Sequence, residues 1–170
     1  ADLEEGVRRR RRGVGGRASV TSWMVVTSPD NYARTRARRF TVQGVKSRHR
    51  RKAERMAPGD RVCWYLTGIQ AFAATATLTS AFFEGSEPIW VSEKTGEPYP
   101  WRFRIRKDHA LEPARAVPAA PLVPSLGFVR KWPAAYWRLA FQGNLHELPD
   151  ADFAVIERAV RRHAATAQKR

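Results

Sequence analysis

Two sets of residues in this chain could do chemistry. The first is titratable and sparse. His49, His109, His146 and His163 have no close paired spacing, and Cys63 is a single cysteine, so no zinc-ligand pattern is present. Glu84, Glu87, Glu93 and Glu97 crowd one Gly- and Pro-rich stretch. Without a partner in the sequence they read as solvated carboxylates rather than as a general acid and base. A Walker loop and a dinucleotide fingerprint are absent, and no nucleophile–base motif stands in line. The second set is cations beside rings. From Arg34 to Arg61 there are 11 Lys/Arg against Glu54 and Asp60, whereas residues 62–100 hold Lys94 against four glutamates. Arg61-Val62-Cys63-Trp64-Tyr65-Leu66-Thr67 follows directly, with two adjacent aromatics. Cationic surface attracts phosphate, and exposed ring faces stack on bases. The net charge of +15 fits a polyanion partner, and its clustering is the footprint expected of one.

The elements that must position these residues are legible in outline. Arg8 to Arg12 is a like-charge run followed by glycines, which predicts a disordered basic tail over 1–19. Val20 to Thr27 is apolar and β-rich, a first strand. Ser28-Pro29-Asp30 starts a helix through Arg39, with Ser28 as cap and Pro29 in the first turn. Phe40 to Val45 is a loop or short strand. Ser47 is placed to cap a second helix through Met56, which the Pro58-Gly59-Asp60 turn ends. Arg61 to Thr67 is the second strand, and Gln70 to Phe83 a third, joined across Gly68. In the third, Phe72, Ala74, Ala76 and Leu78 alternate with Thr75, Thr77 and Thr79. Residues 84–100 form a long loop of the length that is often functional. Trp101, Phe103 and Ile105 alternate with Arg102, Arg104 and Arg106, predicting a strand with a basic outer face that continues toward Val117. Pro118 to Ser125 is a short helix or turn, and Tyr136 to Leu148 a strand-pair region. In the final helix, from Ala151 to about Ala165, Phe153, Ile156 and Val160 recur at core spacing; residues 166–170 are expected to be disordered. Short strands, with helices early and last, predict an α+β fold built on a small mixed barrel. A single cysteine, set inside an apolar strand, predicts a buried thiol. No apolar run reaches membrane-spanning length, and no signal-peptide core precedes the fold, so the expected location is the cytoplasm, away from the membrane.

The order of certain segments resembles the EVE domain family, part of the PUA-like superfamily and related to YTH domains. The carriers are Trp23-Met24-Val25-Val26-Thr27-Ser28, Gln43-Gly44-Val45-Lys46, and Arg55-Met56-Ala57-Pro58-Gly59-Asp60-Arg61-Val62. Trp64-Tyr65, Pro98-Tyr99-Pro100-Trp101-Arg102, Phe128 through Trp132 and Leu148-Pro149-Asp150-Ala151-Asp152-Phe153 follow in order. The likeness spans roughly residues 20–160, within a domain expected over 20–165. Two departures stand out: Ser28-Pro29 replaces a Glu-Pro pair, and Gln43-Gly44-Val45-Lys46-Ser47 replaces an Asn-rich segment.

The resemblance implies a PUA-like twisted mixed β-barrel flanked by helices, with a C-terminal helix, no catalysis and no cofactor. It also implies a pocket for one modified base of DNA or RNA, such as methylated or hydroxymethylated cytosine. Mapped onto this sequence, that pocket involves Thr27, Ser28, Asn31, Gln43, Gly44, Val45, Trp64 or Tyr65, and Trp101 or Trp132. Arg34, Arg36, Arg38, Lys46, Arg48, Arg50, Arg51 and Lys52 would hold the phosphodiester backbone. A base flipped into such a pocket leaves its stack at a cost of a few kcal/mol. The alternative is a small PUA-like amidohydrolase acting on a modified nucleoside, for which Lys46 with a loop glutamate is the candidate pair. A third reading is an accessory that works through a restriction or defence partner protein.

Overall fold

The computed structural model describes residues 20–92 and 94–168. The tail at 1–19, Glu93 and residues 169–170 lie outside the described residues. Eight strands form one curled sheet: β1 (Ser22–Thr27), β2 (Val42–Val45), β3 (Arg61–Leu66), β4 (Ala71–Leu78), β5 (Phe83–Glu84), β6 (Trp101–Ala110), β7 (Val117–Pro118) and β8 (Leu145–Leu148). The order is β2-β6-β4-β3-β1-β8, with β5 on β6 and β7 on β4. Only β1 and β3 pair in parallel. A parallel neighbour needs a crossover, and it is supplied by α1 (Pro29–Ala37), β2 and α2 (Arg50–Arg55). The last helix, α3, runs Asp150–Gln168, past the end expected near Ala165.

β1 is buried along its whole length, and β3 and β4 along all but one residue each, whereas β6 leaves Arg104, Arg106 and Lys107 exposed. Trp23 and Val25 of β1, with Val62, Trp64 and Leu66 of β3, join a cluster that also takes Val45 from β2 and Leu145 from β8. Because that cluster draws on both edge strands, it fills the inside of the curl, under Tyr32 of α1 and Ala53 of α2. Met24, Val26, Cys63 and Tyr65 point the other way, onto Phe153, Ile156 and Val160 of α3 and onto Phe141. Cys63 is buried, as its apolar strand predicts. Asn144 draws the open edges together. Its Oδ1 accepts from the Lys46 N–H at 3.0 Å, while its Nδ2 donates to the Val26 carbonyl at 3.1 Å.

The Pro58-Gly59-Asp60 turn has a specific task. Gly59 takes φ +92, which favours glycine, and the Asp60 carboxylate collects the N–H groups of Thr21, Ala57 and the Trp23 indole. Four expectations are corrected. Tyr136 to Leu148 is not a strand pair: Ala134–Phe141 forms 3₁₀ turns and only Leu145–Leu148 is strand. Its inward residues Trp137, Ala140 and Phe141 fall three to four apart, a helical rather than a strand spacing. In β4 the alternation breaks at a bulge, where Trp64 pairs with Ala74 but Tyr65 with Phe72. Ala73 is the extra residue, so Phe72 and Ala74 end in opposite cores. Ser47 caps no helix; it begins a 3₁₀ turn, Ser47–His49, and its hydroxyl donates to Glu97. β6 stops at Ala110, and a 3₁₀ turn at Pro113–Arg115 separates it from Val117.

Candidate nucleic-acid interface

The end of β1 delivers the chain to the N-terminus of α1, where Ser28 accepts the Asn31 N–H at 3.1 Å. That cap fixes Asn31 on the first turn, beneath the β5–β6 loop. Its Nδ2 donates to the Val91 carbonyl at 2.8 Å and to the Tyr99 hydroxyl at 3.4 Å. Its Oδ1 accepts from the Val91 N–H at 2.9 Å and from Arg34 at 2.8 Å. Both lone pairs and both amide hydrogens are therefore used.

A buried polar chain runs behind it. The Trp90 indole donates to Thr35 at 2.9 Å, and Thr35 donates to Gln43 Oε1 at 2.7 Å. The same oxygen accepts the Trp64 indole at 2.9 Å, and Gln43 Nε2 donates to the Gly44 carbonyl at 2.7 Å. Gly44 makes room for Trp90: a Cβ there would lie 2.5 Å from the indole ring. Arg102 covers Trp90, 5.3 Å from the ring centroid, and donates to the carbonyls of Tyr99 and Glu87. This corrects the expected pattern of β6, in which Arg102 was to face solvent with Arg104 and Arg106. The loop folds back over β6 and buries it. Beside these groups lies a cavity of 270 Å³ whose walls include Trp90, Val91, Tyr99 and Arg102.

Cations rim this arrangement. Lys46 Nζ sits 6.0 Å from the Tyr99 ring centroid. Burial and the Glu97 charge raise the pKa of Tyr99, against the fields of Arg48 and Arg34. Arg34, Lys46 and Arg48 thus converge on one phenol from two elements. The Glu97 carboxylate ties the loop to the Lys46 turn, accepting from the Ser47 hydroxyl and the Arg48 N–H. Its charged form is favoured by those bonds and by Arg48 and Lys46, although burial opposes it. Arg38 pairs with Glu87 at 2.6 Å, Arg36 turns to Glu112, and Arg50 pairs with Glu54 while lying 5.3 Å over the Trp101 ring. Lys52 Nζ donates to the Leu145 carbonyl. Arg51 is exposed, with no ion pair among the described residues. His49 does not serve as a cation at neutral pH: burial, then Lys52 and Arg48, push it down to about 4.

Of the residues expected to wall a pocket, the structure gathers Ser28, Asn31, Gln43 and Gly44 near the loop. Thr27 and Val45 are buried around them. Trp64 and Tyr65 do lie on opposite faces of β3, but neither borders a cleft. Trp64 is 0% exposed inside the curl, and Tyr65, 3% exposed, stacks on Phe141 at 4.2 Å in the other core. Trp101 is half-buried, donating to the Ser47 carbonyl, and Trp132 lines a separate cleft with His146. Sequence reasoning left out Trp90, Tyr99 and Arg102. Trp90 and Tyr99 were signalled as rings within a polar loop, and Tyr99 and Arg102 as part of the Pro98-Tyr99-Pro100-Trp101-Arg102 motif. For the hydrolase reading, Glu97 is the loop carboxylate near Lys46. It is held by Ser47 and Arg48, and no hydrogen bond joins it to the amine.

No family model matches the chain. It is 29% identical over 147 residues to a UPF0310 protein of Pyrococcus abyssi, covering 81% of this chain and 98% of that one. Against a UPF0310 protein of Pyrococcus horikoshii it is 25% identical over 150 residues, with 82% and 98% covered. Among solved structures it resembles the YTH domain of mmi1 in complex with RNA, at a TM-score of 0.61 and 11% identity, covering 88% of this chain and 87% of that one. The fold is YTH-like. A protein of Pseudomonas syringae shares it at a TM-score of 0.53 and 11% identity, over 81% of this chain and 97% of that one.

Proposed function

We propose that this chain is a nucleic-acid-binding module of the EVE type that reads a modified base, such as methylated or hydroxymethylated cytosine. The reading site is the cleft between the α1 N-terminus, the Lys46 turn and the β5–β6 loop. One observation carries this reading. Under a rim of Arg34, Lys46 and Arg48, Asn31 presents a donor and an acceptor together to the N–H and C=O of Val91. An asparagine amide uses the same pair on the edge of a base. When the loop lifts, a base edge replaces the peptide. The polar edge is then read by Asn31 and the main chain at Gly44, while Trp90, Tyr99 and Arg102, buried at 4%, 5% and 6% exposure under the closed loop, supply planar surfaces only once it lifts. This places the rings of the site on the loop and leaves Trp64 and Tyr65 to the core. The YTH-like fold supports the nucleic-acid part, since the mmi1 domain is known in complex with RNA. The resemblance of the ordered motifs to EVE domains supports the modified-base part.

The test is a competition series with modified and unmodified oligonucleotides, single- and double-stranded, DNA and RNA, at two salt concentrations. The expected result is salt-weakened binding with a preference for one modified form of about tenfold, the scale set by one added methyl group. Equal affinity for every oligonucleotide removes the modified-base reading. Absence of any salt-sensitive binding removes the nucleic-acid reading as well.

A further inference from the structure

The 3₁₀ segments between β7 and β8 border a cleft that shares no lining residue with the Trp90 cavity, and they carry an apolar surface. Trp132 is 40% exposed and Tyr136 61%, and Leu139 is exposed near them in the chain. Isolated apolar residues on a surface are ordinary, but here two rings and a leucine fall within eight residues, among Arg130, Lys131 and Arg138. Trp132 also forms one wall of a 390 Å³ cleft with Phe128, Lys131, Gln142 and His146. The segment is held firmly, because Asp152 of α3 accepts the N–H groups of both Gly127 and Phe128. His146 borders the cleft, with its Nε2 buried behind the wall and without a hydrogen-bond partner.

Bonds join the β8 edge of the cleft to the basic turn and helix of the candidate interface. Arg55 of α2 pairs with Glu147 on the cleft wall at 2.9 Å. Lys52 Nζ donates to the Leu145 carbonyl, and the Lys46 backbone N–H donates to Asn144 while its ammonium lies over Tyr99. Rings with polar groups below and cations on both flanks match the general design of a single-strand platform, in which bases stack and a basic track follows the backbone. An apolar peptide would need no such cationic flank.

We propose that the Trp132 cleft is a second nucleotide site, stacking an unpaired base of the strand whose backbone crosses Lys46, Arg48 and Lys52. The site rests on the nucleic-acid reading above and extends it: the substrate is single-stranded around the base that is read. A duplex, whose bases are already stacked, gains nothing from Trp132.

The experiment uses the full chain and labelled oligo(dT) and oligo(U) of about 16 nucleotides, the upper end of single-strand site sizes, with a duplex of equal length as control. Trp132→Ala is expected to weaken single-strand binding about fivefold or more. Duplex binding should change by less than about twofold, and the salt slope should stay the same, because no phosphate contact is lost. Trp132→Phe should restore most of the single-strand affinity. The dT and U arms show whether the strand is DNA or RNA. An unchanged circular dichroism spectrum and melting temperature exclude a folding defect, which the exposure of Trp132 makes easy to satisfy. Single-strand affinity equal to the wild type overturns this site and leaves the modified-base reading standing. An equal loss for single strand and duplex also overturns it, as does loss of a co-purifying protein with oligonucleotide binding intact. If the wild type binds neither oligonucleotide nor duplex, the nucleic-acid reading fails, and this site with it.

Discussion

Gly44 shows how one position can be read correctly for its freedom and wrongly for its use. A glycine in Gln43-Gly44-Val45 suggests close backbone approach, and the expected visitor was a base. In the structure the visitor is the protein's own Trp90, whose ring would lie 2.5 Å from a Cβ. Gly44→Ala should therefore push Trp90 and its loop outward. The expected loss is about 1–3 kcal/mol, the usual scale of overpacking, measured by urea unfolding, with faster proteolytic nicking in residues 85–100. Unchanged stability would mean the ring can slide aside freely. Asn31 was legible as a polar residue at a helix start. Its saturation by Val91, Tyr99 and Arg34 was not, because those partners come from up to 68 residues away in the chain.

At the scale of elements, local rules held where a segment is governed by its own period. Ser28 caps α1, Gly59 turns the chain into β3, and Phe153, Ile156 and Val160 face the core from α3. They failed where a neighbour intervenes, as at the β4 bulge, which sends Phe72 and Ala74 to opposite faces. The Ser47–His49 turn yields a pH prediction. His49 falls from 6.5 to about 4 through burial, with Lys52 and Arg48 adding to the shift and Glu97 opposing it; His146 also lies nearby and is itself lowered by burial. The unfolded chain therefore takes up protons that the folded one refuses. Stability from these groups is complete above pH 6.5 and drains away as pH falls toward about 4. Melting temperature against pH should decline across that window, and His49→Gln should flatten the decline. A parallel curve for the variant would show that His49 titrates as a solvated group.

For the whole molecule, charge decides what can approach and where. Exposed ion pairs such as Arg38–Glu87 exchange readily for other partners, yet they begin already neutralised. Arg51 has no such pair among the described residues. Arg51→Ala should lower the slope of log affinity against log salt by about 0.7 to 0.9 for one lost phosphate contact, and Arg38→Ala should lower it less. Equal effects of the two variants on the slope would show that the Glu87 pair carries no weight during binding. Asn144, just before β8, ties the Lys46 end of β2 to Val26 of β1 and so holds the curl of the sheet.

The amino-acid order alone determined the first strand and helix, the α+β class, the core face of the last helix and the cationic character of the surface, because each depends on local periodicity or on a sum of charges. Tertiary structure alone decided which aromatics are buried. Trp64 and Trp132 have the same chemistry, but one is 0% exposed on a strand covered on both faces and the other 40% exposed between 3₁₀ turns. That distinction depends on contacts between distant segments, which no local pattern encodes.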